Sequence, residues 1–275
     1  MKTQRAILLV AFLGLSFPAV ADAIAFITNL KGDVSVDGHP RPMLLSELAK
    51  GQRVSVGKDS TASVMYIASG KEYVLRGPSE YQVRDTEMTG STPMPPVLRS
   101  TEWRASNKVL VQVANTSAAS VRMRSIAKPA KVAPLLYPTE GNVTTLQPTF
   151  RWNAAESGPA GEIAVFAVGE ERPVHAAKAA GGSYRMPGRL KPETDYAWTY
   201  TVAGNEVGSG RFRTASLATI REVEKRRPLE KAEFSDRLMF ALLLHEVGAV
   251  QEAREAWARL ASERNDLPEL SALAR

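Results

Sequence analysis

The stretch SGKEYVLRGPSEYQV, residues 69–83, decides how the first third of the chain is read. Apolar and polar residues alternate through it, and Gly77-Pro78 interrupts the alternation midway. Proline removes a ladder donor and glycine lets the chain bend, so the break marks a turn or bulge between two strands. Tyr73 and Leu75 share a face before the break, and Tyr81 and Val83 share one after it. That is the pattern of two half-buried strands rather than of a catalytic loop. Lys71, Glu72, Arg76 and Glu80 are then expected on solvated outer faces, the ordinary place for charge on a strand. A ligand-binding edge is the alternative.

Working outward, the flanking sequence repeats the same grammar. DVSVDG (33–38) alternates Val34 and Val36 and ends in Asp37-Gly38, a strong turn dipeptide. QRVSVG (52–57) repeats it, and ASVMYIASG (62–70) places Val64, Tyr66 and Ala68 on one face. TEMTGSTPMPP (86–96) reads as a polar, proline-rich loop. KVLVQVAN (108–115) and ASVRMRS (119–125) resume strands, and AKPAKVAP (127–134) is a short stiff linker. With KGDVSVDG, AKGQRVSVGKDSTASV and the closing SG-EY-L-GP-Y-V pattern in view, residues 27–83 resemble the FecR-type extracytoplasmic domain. The resemblance implies a β-rich domain, placed at 24–126. Founding members of that family are periplasmic parts of transmembrane regulators, whereas this chain has no internal membrane span.

A second block, 135–215, carries PTFRW (148–152), EIAVFAV (162–168) and RLKPETDYAWTYTVAGNEVGSGRFRT (189–214). Leu190, Pro192, Tyr196, Trp198, Tyr200 and Val202 keep a two-residue rhythm, and the glycines of VGSGRF read as turn residues. This block resembles a fibronectin type III domain, an immunoglobulin-like β-sandwich. The resemblance implies that Tyr196 is a corner tyrosine bonded to nearby backbone, and that Trp152 and Trp198 are core partners from two sheets. An exposed aromatic ladder for sugar stacking is the alternative.

The third block, 216–275, is helical. LATIREVEKRR (217–227) stops near Pro228, a second helix runs to Gly248 at its C′ position, and a third carries Val250, Ala253, Trp257, Leu260 and Ala261 at helical spacing. Asp266 is expected to cap a short last helix. The middle pair is similar to one tetratricopeptide repeat, through Ala241, Gly248, Ala253 and Trp257. A lone repeat cannot bury its faces. It must pack on the sandwich domain, on a second copy, or on a partner, and Met239, Leu243 and Trp257 are the candidate partner-helix contacts. The expected fold class is therefore mostly β and multidomain, with a C-terminal α-helical segment.

Residues 1–23 read as a signal peptide. Lys2 and Arg5 precede an apolar run, and small residues allow cleavage after Ala21 or Ala23. The address implied is periplasmic or secreted. The chain has no cysteine, which removes disulfides, thiolate metal sites and cysteine nucleophiles. LMFALLL (238–244) is too short to span a bilayer, so no transmembrane helix is expected in the mature chain. The net charge is +6, with Lys2 and Arg5 contributing two of those charges. In an exported protein this balance points to anionic envelope polymers rather than nucleic acid.

One charged run stands out. Between Arg99 and Lys131 the basic residues are Arg99, Arg104, Lys108, Arg122, Arg124, Lys128 and Lys131, against the single acid Glu102. Arg104 to Lys131 in this set are the candidate contacts for an anionic partner, such as a polysaccharide or peptidoglycan. A solvated strand face with a basic linker is the plainer explanation. His39, His175 and His245 have no metal-ligand spacing, and no catalytic or cofactor motif is present, so no cofactor is expected. The function expected is an exported, non-catalytic binding or scaffold module of the cell envelope acting through a protein partner. An accessory protein binding carbohydrate or anionic polymer is the runner-up, and an envelope hydrolase is third.

Overall fold

A computed structural model describes residues 23–90, 94–99, 101, 103, 135–157 and 160–274. Residues 1–22 of the predicted leader 1–23, the strands over 108–115 and 119–125, and the linker 127–134 lie outside these residues. The described chain is mostly β, in several sheets, with helices gathered at its C-terminal end.

The first unit is two antiparallel sheets packed face to face. One has the order β3 (Glu47–Ala49), β1 (Ala23–Lys31), β5 (Thr61–Tyr66), β6 (Glu72–Arg76), β9 (Val97–Arg99). The other has β2 (Val34–Val36), β4 (Arg53–Val56), β7 (Ser79–Val83), β8 (Met88–Gly90). Tyr73, Leu75, Tyr81 and Val83 all enter the core between them, as the alternation predicts. The Gly77-Pro78 break carries the chain from one sheet to the other. A Cβ on Gly77 would lie 1.8 Å from the Gly57 carbonyl oxygen, so only glycine fits that crossing. Tyr81 secures it: its hydroxyl donates to the Arg76 carbonyl (2.6 Å) and accepts from the Arg76 N–H (3.1 Å).

Two local expectations need correction here. The predicted loop 86–96 contains β8, which pairs Met88 with Val83 because the buried Met88 side chain gives this short strand an apolar anchor. Glu72 is not solvated; it is fully buried on the outer face of its sheet, because a helix covers that face. Met65 and Phe26 point the same way, so β1 and β5 are buried on both faces.

The second unit is a three-stranded sheet, β10 (Leu135–Tyr137), β12 (Thr149–Trp152), β15 (Ser183–Arg185), against a five-stranded one. The latter has the order β11 (Asn142–Val143), β17 (Asn205–Thr214), β16 (Asp195–Val202), β13 (Ala160–Ala167), β14 (His175–Ala180). Trp152 and Trp198 come from opposite sheets and are both buried, so the exposed aromatic ladder is ruled out for them. Gly208 and Gly210 are not turn residues; β17 runs straight through them. At Gly210 a Cβ would lie 2.6 Å from the Trp198 indole nitrogen, and the missing side chain lets that nitrogen donate to the Pro138 carbonyl.

After a helical turn, α1 (Ala154–Ser157), the helices are α2 (Leu217–Arg226), α3 (Phe234–Glu246), α4 (Val250–Glu263) and α5 (Pro268–Leu273). Ser216 caps α2 by accepting from the Thr219 N–H. Gly248 takes the left-handed conformation just beyond α3, as expected. Asp266 does not cap α5; its carboxylate pairs with Arg264, two residues back, and leaves Leu267 at the cap position.

Candidate functional site

The helical segment lies between the two β units and bonds to both, so their junction is where the chain's surfaces converge. On one side α3 lays its apolar residues on the outer face of the first sheet. Phe26, Leu44, Leu45 and Met65 of the β unit share one core with Phe234, Leu238, Met239 and Leu243, and Trp103 joins it. The predicted partner contacts are thus placed: Met239 is fully buried, Leu243 and Trp257 nearly so. They form no free patch. Trp257 fills the helical core as its spacing suggests, and the lone hairpin covers its apolar face on the first β unit rather than on the second.

A buried ionic cluster sits at the edge of this dry contact. Glu72 accepts from Thr28 Oγ1 (2.6 Å), from Ser235 Oγ (3.2 Å) and from Arg99 Nε. Arg99 then reaches across to Asp236 with both terminal nitrogens (2.8 and 3.1 Å) and to Ser235 (2.8 Å). Burial works against the Arg99 charge, but the Asp236 and Glu72 carboxylates outweigh it and hold the guanidinium charged beyond its ordinary range. Arg99, read from sequence as the first member of a basic surface run, is therefore spent on tying β9 and β6 to the start of α3. The remaining members, Arg104, Lys108, Arg122, Arg124, Lys128 and Lys131, lie outside the described residues.

On its other side the segment meets the second unit through polar groups. Glu252 on α4 accepts from the Tyr137 hydroxyl (2.9 Å), the Thr144 N–H (3.0 Å) and the Thr144 hydroxyl (2.5 Å). Gln251 accepts from the Thr139 N–H (2.7 Å) and donates to Thr139 Oγ1 (2.8 Å). Arg151 pairs with Glu255, and Arg254 with Glu140. Asn142 donates to the Val247 and Gly248 carbonyls at 2.7 and 2.8 Å, satisfying acceptors that the end of α3 leaves open. Burial, and then the Glu252 carboxylate beside it, push the Tyr137 phenol well above its usual pKa. Nothing in the local pattern of α4 distinguishes these contacts from ordinary solvated charge, which is why the sequence reading missed them.

Two clefts flank the joint between α2 and α3. One, of about 300 Å³, lies over the outer face of the three-stranded sheet. The other, of about 430 Å³, is walled by Lys225, Pro228, Leu229 and Lys231 above Trp103. Arg227 lines both. Among the described residues no group of His, Asp and Glu is arranged to hold a metal ion, and no helix is long and apolar enough to cross a membrane. His175 contacts Tyr184 through Nε2 at 2.7 Å, bridging β14 and β15. No protein-family model matches the chain, and no curated protein matches it.

Proposed function

We propose that the chain is an exported, non-catalytic binding or scaffold module of the cell envelope that acts through protein–protein contacts. The observation that carries this reading is the two-sided attachment of the helical segment, which fastens both β units to one frame. A frame of this kind fixes the spacing of two surfaces, which is what a scaffold requires. The FecR-like reading of the first unit is supported by its paired antiparallel sheets and by the glycine crossing at Gly77. The fibronectin type III-like reading of the second is supported by its three-plus-five sheets. It is also supported by the buried Tyr196, whose hydroxyl accepts from the Lys191 N–H at 2.9 Å. Export is supported by the leader pattern.

The contact surface proposed is the tip of the β13–β14 hairpin, where Val168 and Val174 are 58% and 49% exposed beside a sheet edge. Affinity capture from envelope extract, with the wild-type chain and a Val168→Asp/Val174→Asp variant as baits, tests it. The expected result is an envelope protein held by the first bait and lost from the second. Equal capture by both baits would remove this surface from the proposal.

A further inference from the structure

We propose that the cleft over the three-stranded sheet binds the phosphate or carboxylate group of a small organic anion, with Arg185 as its principal contact and Arg151 and Arg227 beside it. The proposal is independent of the protein-binding reading above. Strand alternation builds the floor: Phe150 and Trp152 point into the sandwich, so Thr149 and Arg151 point out, and the β12–β15 register sets Arg185 opposite Thr149. Arg227 enters from the end of α2, and Glu252 and Glu255 form the far wall from α4. Three arginines from three elements thus line one cleft with two glutamates opposite.

The partners already present decide which group is available. Glu255 is taken by Arg151, and Glu252 by Tyr137 and Thr144. Arg151 is further held at 4.9 Å over the Tyr137 ring, and Arg227 is paired with Glu224 and lies 5.4 Å over the Phe240 ring. Among the described residues Arg185 has no ion pair or hydrogen bond of its side chain, and it is exposed to the cleft. A planar guanidinium offers paired N–H donors that match two oxygens of a carboxylate or phosphate, which a lysine ammonium does not. The hydroxyls of Thr145 and Thr149 line the same space and suit the remaining oxygens. The volume lies at the lower end of small-molecule pockets, room for one anionic group and a small substituent.

The test is a nuclear magnetic resonance titration of the purified chain, following the arginine Nε–Hε signals. The probes are sodium phosphate and sodium acetate, each against sodium chloride at equal ionic strength. Saturable shifts at Arg185, Arg151 and Arg227, but not at the surface arginines Arg172 and Arg189, are expected with at least one oxyanion. Stronger saturation by phosphate assigns a phosphate ligand, and stronger saturation by acetate a carboxylate. Arg185→Ala should raise the half-saturation concentration about tenfold, equivalent to about 1.4 kcal/mol. Arg185→Lys, which keeps the charge and loses the fork, should fall between. Shifts that grow linearly, that chloride reproduces, or that Arg185→Ala leaves unchanged would overturn the proposal.

Discussion

The two faces of the helical segment differ in kind. Against the first β unit, α3 makes a dry contact in which Phe26, Leu44 and Met65 share a core with Leu238, Met239 and Leu243. Against the second, α4 makes a wet one, built from Gln251, Glu252, Arg254 and Glu255. Apolar burial stabilises the first by roughly 1.5–3 kcal/mol per large side chain, and ionic screening does not weaken it. Partly exposed ion pairs such as Arg254–Glu140 contribute at most about 1 kcal/mol each, and salt screens them. The helices therefore belong to the folding unit of the first β sandwich and are docked onto the second. A lone helical hairpin does not need an external partner if it finds a sheet within its own chain.

The sharpest way to break this contrast is Met239→Asp. If the dry contact is a true core, an unpaired carboxylate there should cost more than about 4 kcal/mol and unfold the first unit with the helices. Chemical denaturation followed by circular dichroism, with light scattering for mass, measures it. A variant that keeps wild-type stability and merely changes its oligomeric state would restore Met239 to a partner surface. Next comes Glu72→Ala, which removes one of the two carboxylates on the partly buried Arg99 and leaves the Thr28 hydroxyl without its acceptor, and should cost about 3 kcal/mol. Replacing Glu72 and Arg99 together by leucine and methionine should cost less than the sum of the two single changes, since the one carboxylate then left unpaired is Asp236, which is partly exposed. A double-mutant cycle on the denaturation midpoint decides this.

The wet contact is tested by alkali. A phenol whose pKa is raised on folding contributes stability that is whole below about pH 10 and declines as pH rises past it. Burial and Glu252 raise Tyr137 in this way, and burial raises Tyr66 in the first unit. Tyr137→Phe should therefore flatten part of the alkaline loss of stability and leave the part due to Tyr66. Melting curves between pH 9 and about 11 for wild type and variant check it; identical slopes would show that Tyr137 is not held at the junction. The smallest effect is expected at Tyr200→Phe. The Tyr200 hydroxyl is buried without a partner, so its loss should change stability by less than about 1 kcal/mol in either direction. Tyr196→Phe, which loses the bond from Lys191, should destabilise by about 1 kcal/mol and serves as the reference in the same melts.

What could be read from the residues alone was whatever depends on neighbours along the chain. Alternation places Tyr73, Leu75, Tyr81 and Val83 inward whatever covers the other face, because strand geometry has a period of two. The turn at Gly77-Pro78, the left-handed Gly248 and the apolar stripe of Ala253, Trp257 and Leu260 follow from equally local rules. The tertiary structure alone decided what covers each remaining face. Glu72 sits at a position that alternation assigns to the outside, and only the arrival of α3 turns that outside into an interior. There Glu72 is bonded to Arg99, 27 residues further along, whose guanidinium is shared with Asp236, 164 residues further along. The cleft around Arg185 is of the same kind. Its three arginines are far apart in sequence, and no spacing rule links them, since their approach depends on a docking whose energy comes from surfaces distributed over the whole chain.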